Sequence, residues 1–272
     1  MSAFEIKRAL TSSECAPEEL SDKGIKILWT GGWDSTFRVL YANLVDGKRV
    51  EPHYIVDTAR QSSLRELQAI SQIRDSVRFL DEASYEKISN LRITLKSEIP
   101  DDIAITNSWA RLKLRSPLGS QYDWLARYAE SQNMVDLELS VHVDDKAYVF
   151  LRGKVERSQS GGYRLRGGLT GDENIFARFR FPILEYSKTR MRDIARRHGF
   201  IDILEKSWFC HRPINGVPCG MCSPCIYTIK EGMRYRLPRE SLFRYHLDRC
   251  RRVIQSPLLC AEVLCSRLRK LR

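Results

Sequence analysis

Residues 25–30, Ile-Lys-Ile-Leu-Trp-Thr, form a short apolar run that stops at Gly31-Gly32. A run of that length closed by glycines predicts a buried parallel strand entering a tight turn. From Asp34 the apolar positions Phe37, Leu40, Tyr41 and Leu44 follow helical spacing, and Asp46-Gly47 supplies the stop. Residues 50–57 predict a second strand, and Leu64, Leu67 and Ile70 mark one side of a second helix. Residues 91–98 and 134–143 are further strand candidates. In the latter, Val135, Leu137, Leu139 and Val141 alternate with polar residues, and 120–132 between the two reads as helix. Residues 146–168 carry two β-prone pieces around a Ser-Gln-Ser-Gly-Gly turn, which predicts an inserted hairpin. Residues 181–185 predict a core strand, with Ser187 as the N-cap of a helix that ends before Gly199.

Strand alternating with helix in this way predicts an α/β domain. The expected architecture is a Rossmann-like parallel sheet flanked by helices, its active site at the carboxyl ends of the strands. At 272 residues and 43% hydrophobic composition, the chain has room for one such domain and an appendage. The expected division is an N-terminal extension over 1–24, a nucleotide-binding α/β domain over 25–200, and a helical region over 201–272. In the last, helical patterns run over 223–236, 239–254 and 258–270. No internal repeat or low-complexity segment interrupts this reading.

Two motifs carry chemistry. Thr30-Gly31-Gly32-Trp33-Asp34-Ser35-Thr36 falls where strand hands over to helix, so backbone N–H groups and the positive helix end can meet an anion. Thr30, Ser35 and Thr36 offer hydroxyls to phosphate oxygens, whereas Asp34 would repel phosphate unless a cation such as Mg²⁺ lay between. The Gly-Lys pair of a Walker loop is absent, which argues against ordinary γ-phosphate transfer. The second motif is Cys210, Cys219, Cys222 and Cys225, spaced C-x8-C-x2-C-x2-C. Four thiolates at that spacing predict one tetrahedral Zn²⁺, and an all-sulfur set predicts a closed structural site. His211 beside Cys210 is not needed as a ligand. His53, His142, His198 and His246 read as ordinary packing or surface residues, and Cys250, Cys260 and Cys265 as small apolar ones.

The glycine-rich segment resembles the SGGxDS signature of the ATP pyrophosphatase superfamily, with Thr30 in place of the usual serine. Together with the cysteine spacing it is similar to the 7-cyano-7-deazaguanine synthase family within that superfamily, whose fold is adenine nucleotide alpha hydrolase-like. The resemblance runs from Leu28 to Thr36, through Asp57, Arg60, Gln61 and Glu66, through Phe181-Pro182-Ile183-Leu184 with Ser187-Lys188, to the four cysteines. It implies that Trp29, Thr30, Gly31, Gly32, Trp33, Asp34, Ser35 and Thr36 hold the pyrophosphate of ATP. It further implies that Asp34 anchors Mg²⁺, that Lys188 neutralises phosphate charge, and that Asp57, Arg60 and Gln61 approach the substrate. Family members adenylate 7-carboxy-7-deazaguanine, then let ammonia displace AMP, and convert the amide to a nitrile with a second ATP. Divergent members beside bacterial antiviral genes are thought to join the deazapurine to a protein amine. The chain departs from the pattern at Leu118-Gly119-Ser120-Gln121, at Arg190 where the family has an acid, and across 139–172.

The formal net charge is +11, with arginines crowded toward the C-terminal end. Such a surface suits an anionic substrate, an acidic protein or a nucleic acid. The expected location is cytoplasmic: the first fifteen residues lack an apolar run of signal-peptide length and no membrane-length segment follows. Two competing functions are a superfamily relative that modifies tRNA and a non-enzymatic, zinc-stabilised nucleic-acid binder. A homo-oligomer is compatible with either.

Overall fold

Ile25, Ile27 and Trp29 pack into the core on one face of a sheet and Leu28 into the core on the other, as the two-residue period of a strand requires. That strand, β1 (Ile25–Leu28), opens a computed structural model that describes residues 24–255. It leads through the glycine turn into α1 (Trp33–Leu40), continued by a wider turn, Tyr41–Val45, that stops at Gly47 with φ +64°. The chain returns as β2 (Val50–Val56), parallel to β1, then forms α2 (Ser63–Leu80), α3 (Glu82–Glu86) and the outer parallel strand β3 (Arg92–Leu95). Helices α4 (Ile103–Arg115) and α5 (Gln121–Ser131) cross to the other side and feed β4 (Leu137–Glu138), which pairs parallel to β1. After α6 (Tyr148–Leu151) come β5 (Val155–Arg157), β6 (Tyr163–Leu165) and β7 (Phe179–Phe181). The described chain ends with α7 (Lys188–Arg197), α8 (Ile201–Leu204), α9 (Ser223–Lys230) and α10 (Arg239–Gln255).

Among the described residues the sheet has seven strands in the order β3-β2-β1-β4-β7-β6-β5. The fold is α/β, but the sheet is mixed rather than wholly parallel. β7 runs parallel to β4, while β6 pairs antiparallel to both β7 and β5, so the hairpin extends the main sheet at one edge. The strand order reverses direction between β1 and β4, and the crevice at such a point is where open α/β sheets bind ligands.

Several expected elements move for local reasons. The strand expected over 134–143 shrinks to Leu137–Glu138, because Asp136 adopts a φ of +57° that breaks the extended run and turns Val135 out to 70% exposure. Glu138, polar in the alternation, is fully buried: Arg38 Nε and Nη2 donate to it at 2.7 and 2.9 Å and Arg180 Nη2 at 2.6 Å, which ties α1 to β4 and β7. The strand expected at 181–185 lies at Phe179–Phe181 instead, since Pro182 has no N–H for the ladder. In α2 the buried stripe is Glu66, Ala69, Ile70, Ile73 and Val77, and Leu64 faces solvent. α4 has no counterpart among the elements expected from the apolar pattern. Cys250 is exposed on α10 rather than packed as a small apolar residue. The pattern over 258–270, Cys15, Cys260, Cys265 and most of the N-terminal extension lie outside the described residues. No described helix is long and apolar enough to cross a membrane.

Candidate active site and metal centre

The turn after β1 is shaped by two glycines with different duties. Gly31 has φ +69°, and a Cβ there would stand 2.8 Å from the Glu66 carbonyl oxygen, so only glycine lets α2 pack against the turn. Gly32 is the extended N-cap residue of α1, and Thr36 N donates to its carbonyl at 3.0 Å. Thr30 N donates to Ser35 Oγ at 3.2 Å, and the Thr30 and Ser35 hydroxyls lie 3.2 Å apart, closing the turn on itself. Trp208 N donates to the Gly31 carbonyl at 2.8 Å, fastening the C-terminal segment to the same turn.

A cleft of about 340 Å³ opens over this turn at the carboxyl ends of β1, β2 and β4. Thr30, Gly32, Trp33, Asp34 and Ser35 line it, with Lys188 from the start of α7. Trp29, Gly31 and Thr36 do not. Trp29 and Thr36 are fully buried behind the turn, where Trp29 Nε1 donates to Thr36 Oγ1 at 3.0 Å, so the Thr36 hydroxyl braces the loop instead of facing a ligand. Of the three expected substrate residues only Arg60 lines the cleft. Asp57 is held by Arg60 at 3.7 Å and Lys96 at 3.2 Å, and Gln61 is exposed.

Asp34 is the electrostatic centre. Its Oδ2 lies 3.7 Å from Lys188 Nζ and 3.6 Å from His142 Nε2, and its Oδ1 is buried without a partner. An orphaned buried carboxylate oxygen at the start of a helix, beside two glycines, fits a hard cation such as Mg²⁺. Lys188 also pairs with Glu231 at 2.9 Å. Burial works against its ammonium, yet the carboxylates of Asp34 and Glu231 outweigh that and hold the lysine above its ordinary range, charged at neutral pH. Ser187 caps α7 by accepting from Arg190 N at 3.2 Å, which fixes Lys188 at the first turn, while the Arg190 guanidinium lies 4.4 Å over the Tyr186 ring. Across the cleft Tyr122 donates to Asp145 at 2.8 Å; burial, then the Asp145 charge, keep its phenol well above the usual range.

Sequence reasoning set aside three residues that belong here. His142 reaches Asp34, and its Nδ1 accepts from Asp144 N at 3.3 Å. His53, read as packing, lines the cleft floor with its Nδ1 2.8 Å from the Tyr128 hydroxyl and its Nε2 buried without a partner. Burial first, then Arg92 and Lys26, push the His53 pKa down to about 4, so it is neutral at pH 7. Arg236, counted only as part of the basic excess, lines the cleft with 5% of its side chain exposed. A lone histidine or arginine far from a motif gives no signal in one sequence. The remaining walls are apolar and aromatic, chiefly Leu28, Ile55, Trp124, Leu139, Trp208 and Phe209.

The four cysteines converge as their spacing predicts: their sulfurs all lie within 4.8 Å of one another. The Cys222–Cys225, Cys219–Cys225 and Cys210–Cys222 separations are 3.5, 3.9 and 3.9 Å. A tetrahedron with Zn–S bonds of about 2.3 Å has edges of about 3.8 Å, so the donor set fits zinc and leaves no ligand position for water. Backbone N–H groups of Cys219, Met221 and Cys222 donate to the sulfurs at 3.1–3.3 Å, supporting thiolates. Four thiols this close cannot all ionise by themselves: the neighbouring Cys222 sulfur pushes Cys210 up to about 12, and Cys210 and Cys222 push Cys225 up. A divalent cation relieves that conflict. His211 is no ligand here; it lines the cleft, its pKa lowered by burial and by Arg60.

No family model matches the chain, and no curated protein matches it. Among solved structures it is similar to a 4-thiouridine synthetase determined as an RNA complex with bound ATP, at 16% identity and a TM-score of 0.35. The similarity covers 82% of this chain and 53% of that one, so the chain spans about half its length.

Proposed function

We propose that this chain is an ATP-consuming enzyme of the pyrophosphate-loop type that activates a carboxylate as its adenylate. The proposed substrate is a deazapurine carboxylate, 7-carboxy-7-deazaguanine or a close relative. The observation that carries the reading is the unpartnered Oδ1 of Asp34 at the glycine turn, flanked by the charged Lys188. The triphosphate lies along Thr30 to Ser35, where the first N–H groups of α1 face it. Mg²⁺ held by Asp34 would screen the phosphate charge. A substrate carboxylate oxygen attacks the α-phosphorus, the bond to the β-phosphate oxygen breaks and pyrophosphate leaves; an amine nitrogen then attacks the acyl carbon and AMP departs. Lys188 offsets the negative charge that builds on the phosphate oxygens. The aromatic wall of Trp124, Trp208 and Phe209 gives a planar heterocycle a surface to lie on. Zinc at the four cysteines is assigned a structural part.

A second reading, tRNA modification by the same adenylating chemistry, draws on α7, where Arg190, Arg192, Arg196 and Arg197 face a single acid, Asp193. The test is pyrophosphate release from ATP and Mg²⁺ in the presence of 7-carboxy-7-deazaguanine, of ammonia or a protein amine as acceptor, and of tRNA. Release stimulated by the carboxylate and lost in Asp34→Ala supports the first reading, and stimulation by tRNA alone the second. Nucleic-acid binding that survives Asp34→Ala, with no turnover in the wild type, would favour a non-enzymatic binder and sink both.

A further inference from the structure

The cations of the cleft are mostly spoken for. Lys188 stands between Asp34 and Glu231, and Arg60 lies against Asp57. Arg236 differs. Its Nε approaches Glu205 Oε2 at 3.1 Å, and its Nη2 donates to the carbonyls of Glu205 and Ser207 at 3.1 and 2.6 Å and to the Ser207 hydroxyl at 3.0 Å. Its Nη1 is buried and has no partner; among the described residues it is the one buried guanidinium nitrogen without a partner on a side chain that lines the cleft. The guanidinium lies 4.8 Å from the centre of the Trp33 ring and 5.0 Å from that of Phe209, so two aromatic rings fix its orientation.

Leaving two N–H donors of a buried cation unsatisfied is costly unless a ligand meets them. Desolvation lowers the Arg236 pKa, but an arginine stays protonated at neutral pH, and with Nε and Nη2 engaged at 205–207 it is Nη1 that is left without a partner. Trp33, on which it rests, is the residue before Asp34 in the glycine turn. We infer that Arg236 is an oxyanion-binding residue of this cleft, its Nη1 donating to a phosphoryl oxygen of the nucleotide held by the turn. The inference rests on the proposed nucleotide reading, and it assigns to the C-terminal segment a contact that the turn and Lys188 leave unmade.

The experiment is calorimetric titration of pyrophosphate, AMP and 7-carboxy-7-deazaguanine, each with Mg²⁺, into wild type, Arg236→Gln, Arg236→Lys and Ser207→Ala. Thermal unfolding of each variant serves as the fold control. The expected result is about tenfold or greater loss of pyrophosphate or AMP affinity in Arg236→Gln. A smaller loss is expected in Arg236→Lys, which keeps the charge without the fork, and in Ser207→Ala, which removes one of the three acceptors that hold Nη2. Wild-type phosphate affinity retained within twofold in folded Arg236→Gln or Arg236→Lys would overturn the inference while leaving the nucleotide reading intact. So would a loss confined to the carboxylate ligand. Absence of any phosphate binding by wild type would overturn the nucleotide reading and this inference with it.

Discussion

His53 shows how much a single buried side chain can reveal at the scale of one residue. It is 1% exposed, its Nδ1 is engaged by Tyr128 and its pKa is held near 4, so the unfolded chain binds a proton below pH 6.5 that the folded chain refuses. Where the unfolded state binds more protons, stability rises with pH. The contribution is therefore present above pH 6.5 and is lost as pH falls from 6.5 toward 4. Urea unfolding followed at pH 7, 6, 5 and 4 should show the midpoint falling across that window, and His53→Gln should flatten the fall. An unchanged slope in the variant would mean that the histidine is already free to protonate in the folded state.

At the scale of elements, what could be read in the chain and what could not divide along physical lines. The strand, turn and helix from Ile25 to Leu40 were legible because apolar periodicity, glycine and helix spacing all act within a few residues. The same holds for the four cysteines, whose spacing alone brings the sulfurs together. The sheet edge was not legible, because the antiparallel docking of β6 on β7 is a long-range choice that leaves no local trace. The burial of Glu138 left no local trace for a related reason, since its partners Arg38 and Arg180 are 100 and 42 residues away. The cysteine segment also carries an element-scale prediction. Gly220 has φ +82°, and a Cβ there would stand 2.0 Å from the Ser241 carbonyl oxygen, on α10. Arg244, also on α10, donates to the Cys219 carbonyl at 2.9 Å and to the Pro218 carbonyl at 3.0 Å, so the metal turn and this helix are built as one piece. Gly220→Ala should force them apart, at a cost of about 1–3 kcal/mol for the backbone strain alone. Metal content measured by mass spectrometry should fall below the wild-type value, with a lower unfolding temperature; full metal content and an unchanged temperature would show that the turn can shift without loss.

At the scale of the whole molecule, the cleft belongs to two parts of the chain that meet only in space. Its floor and glycine turn come from β1, β2 and α1, whereas Trp208, Phe209, Pro224, Thr228 and Arg236 come from the cysteine-bearing segment. Among the links between the two are Trp208 N to Gly31, Lys188 to Glu231, and Arg236 against Trp33. Cys222 and Cys225 sit at the N-terminal end of α9, and Glu231 follows directly at its other end, so one short helix joins the sulfurs to that carboxylate. A metal bound there should therefore strengthen nucleotide binding without touching the nucleotide. Thermodynamic linkage makes the effect reciprocal: the factor by which metal tightens ATP is the factor by which ATP tightens metal, typically about 5–150-fold for coupled sites. The two halves can be measured separately, ATP affinity by calorimetry in metal-loaded and chelator-stripped protein, and zinc affinity by competition with a chromogenic chelator with and without ATP. Equal factors above about fivefold would establish that the cysteine site organises the cleft. ATP affinity unchanged after stripping, in protein that still unfolds cooperatively, would instead confine the metal to holding its own turn, and the cleft wall would have to owe its position to contacts such as the Trp208, Lys188 and Arg236 links.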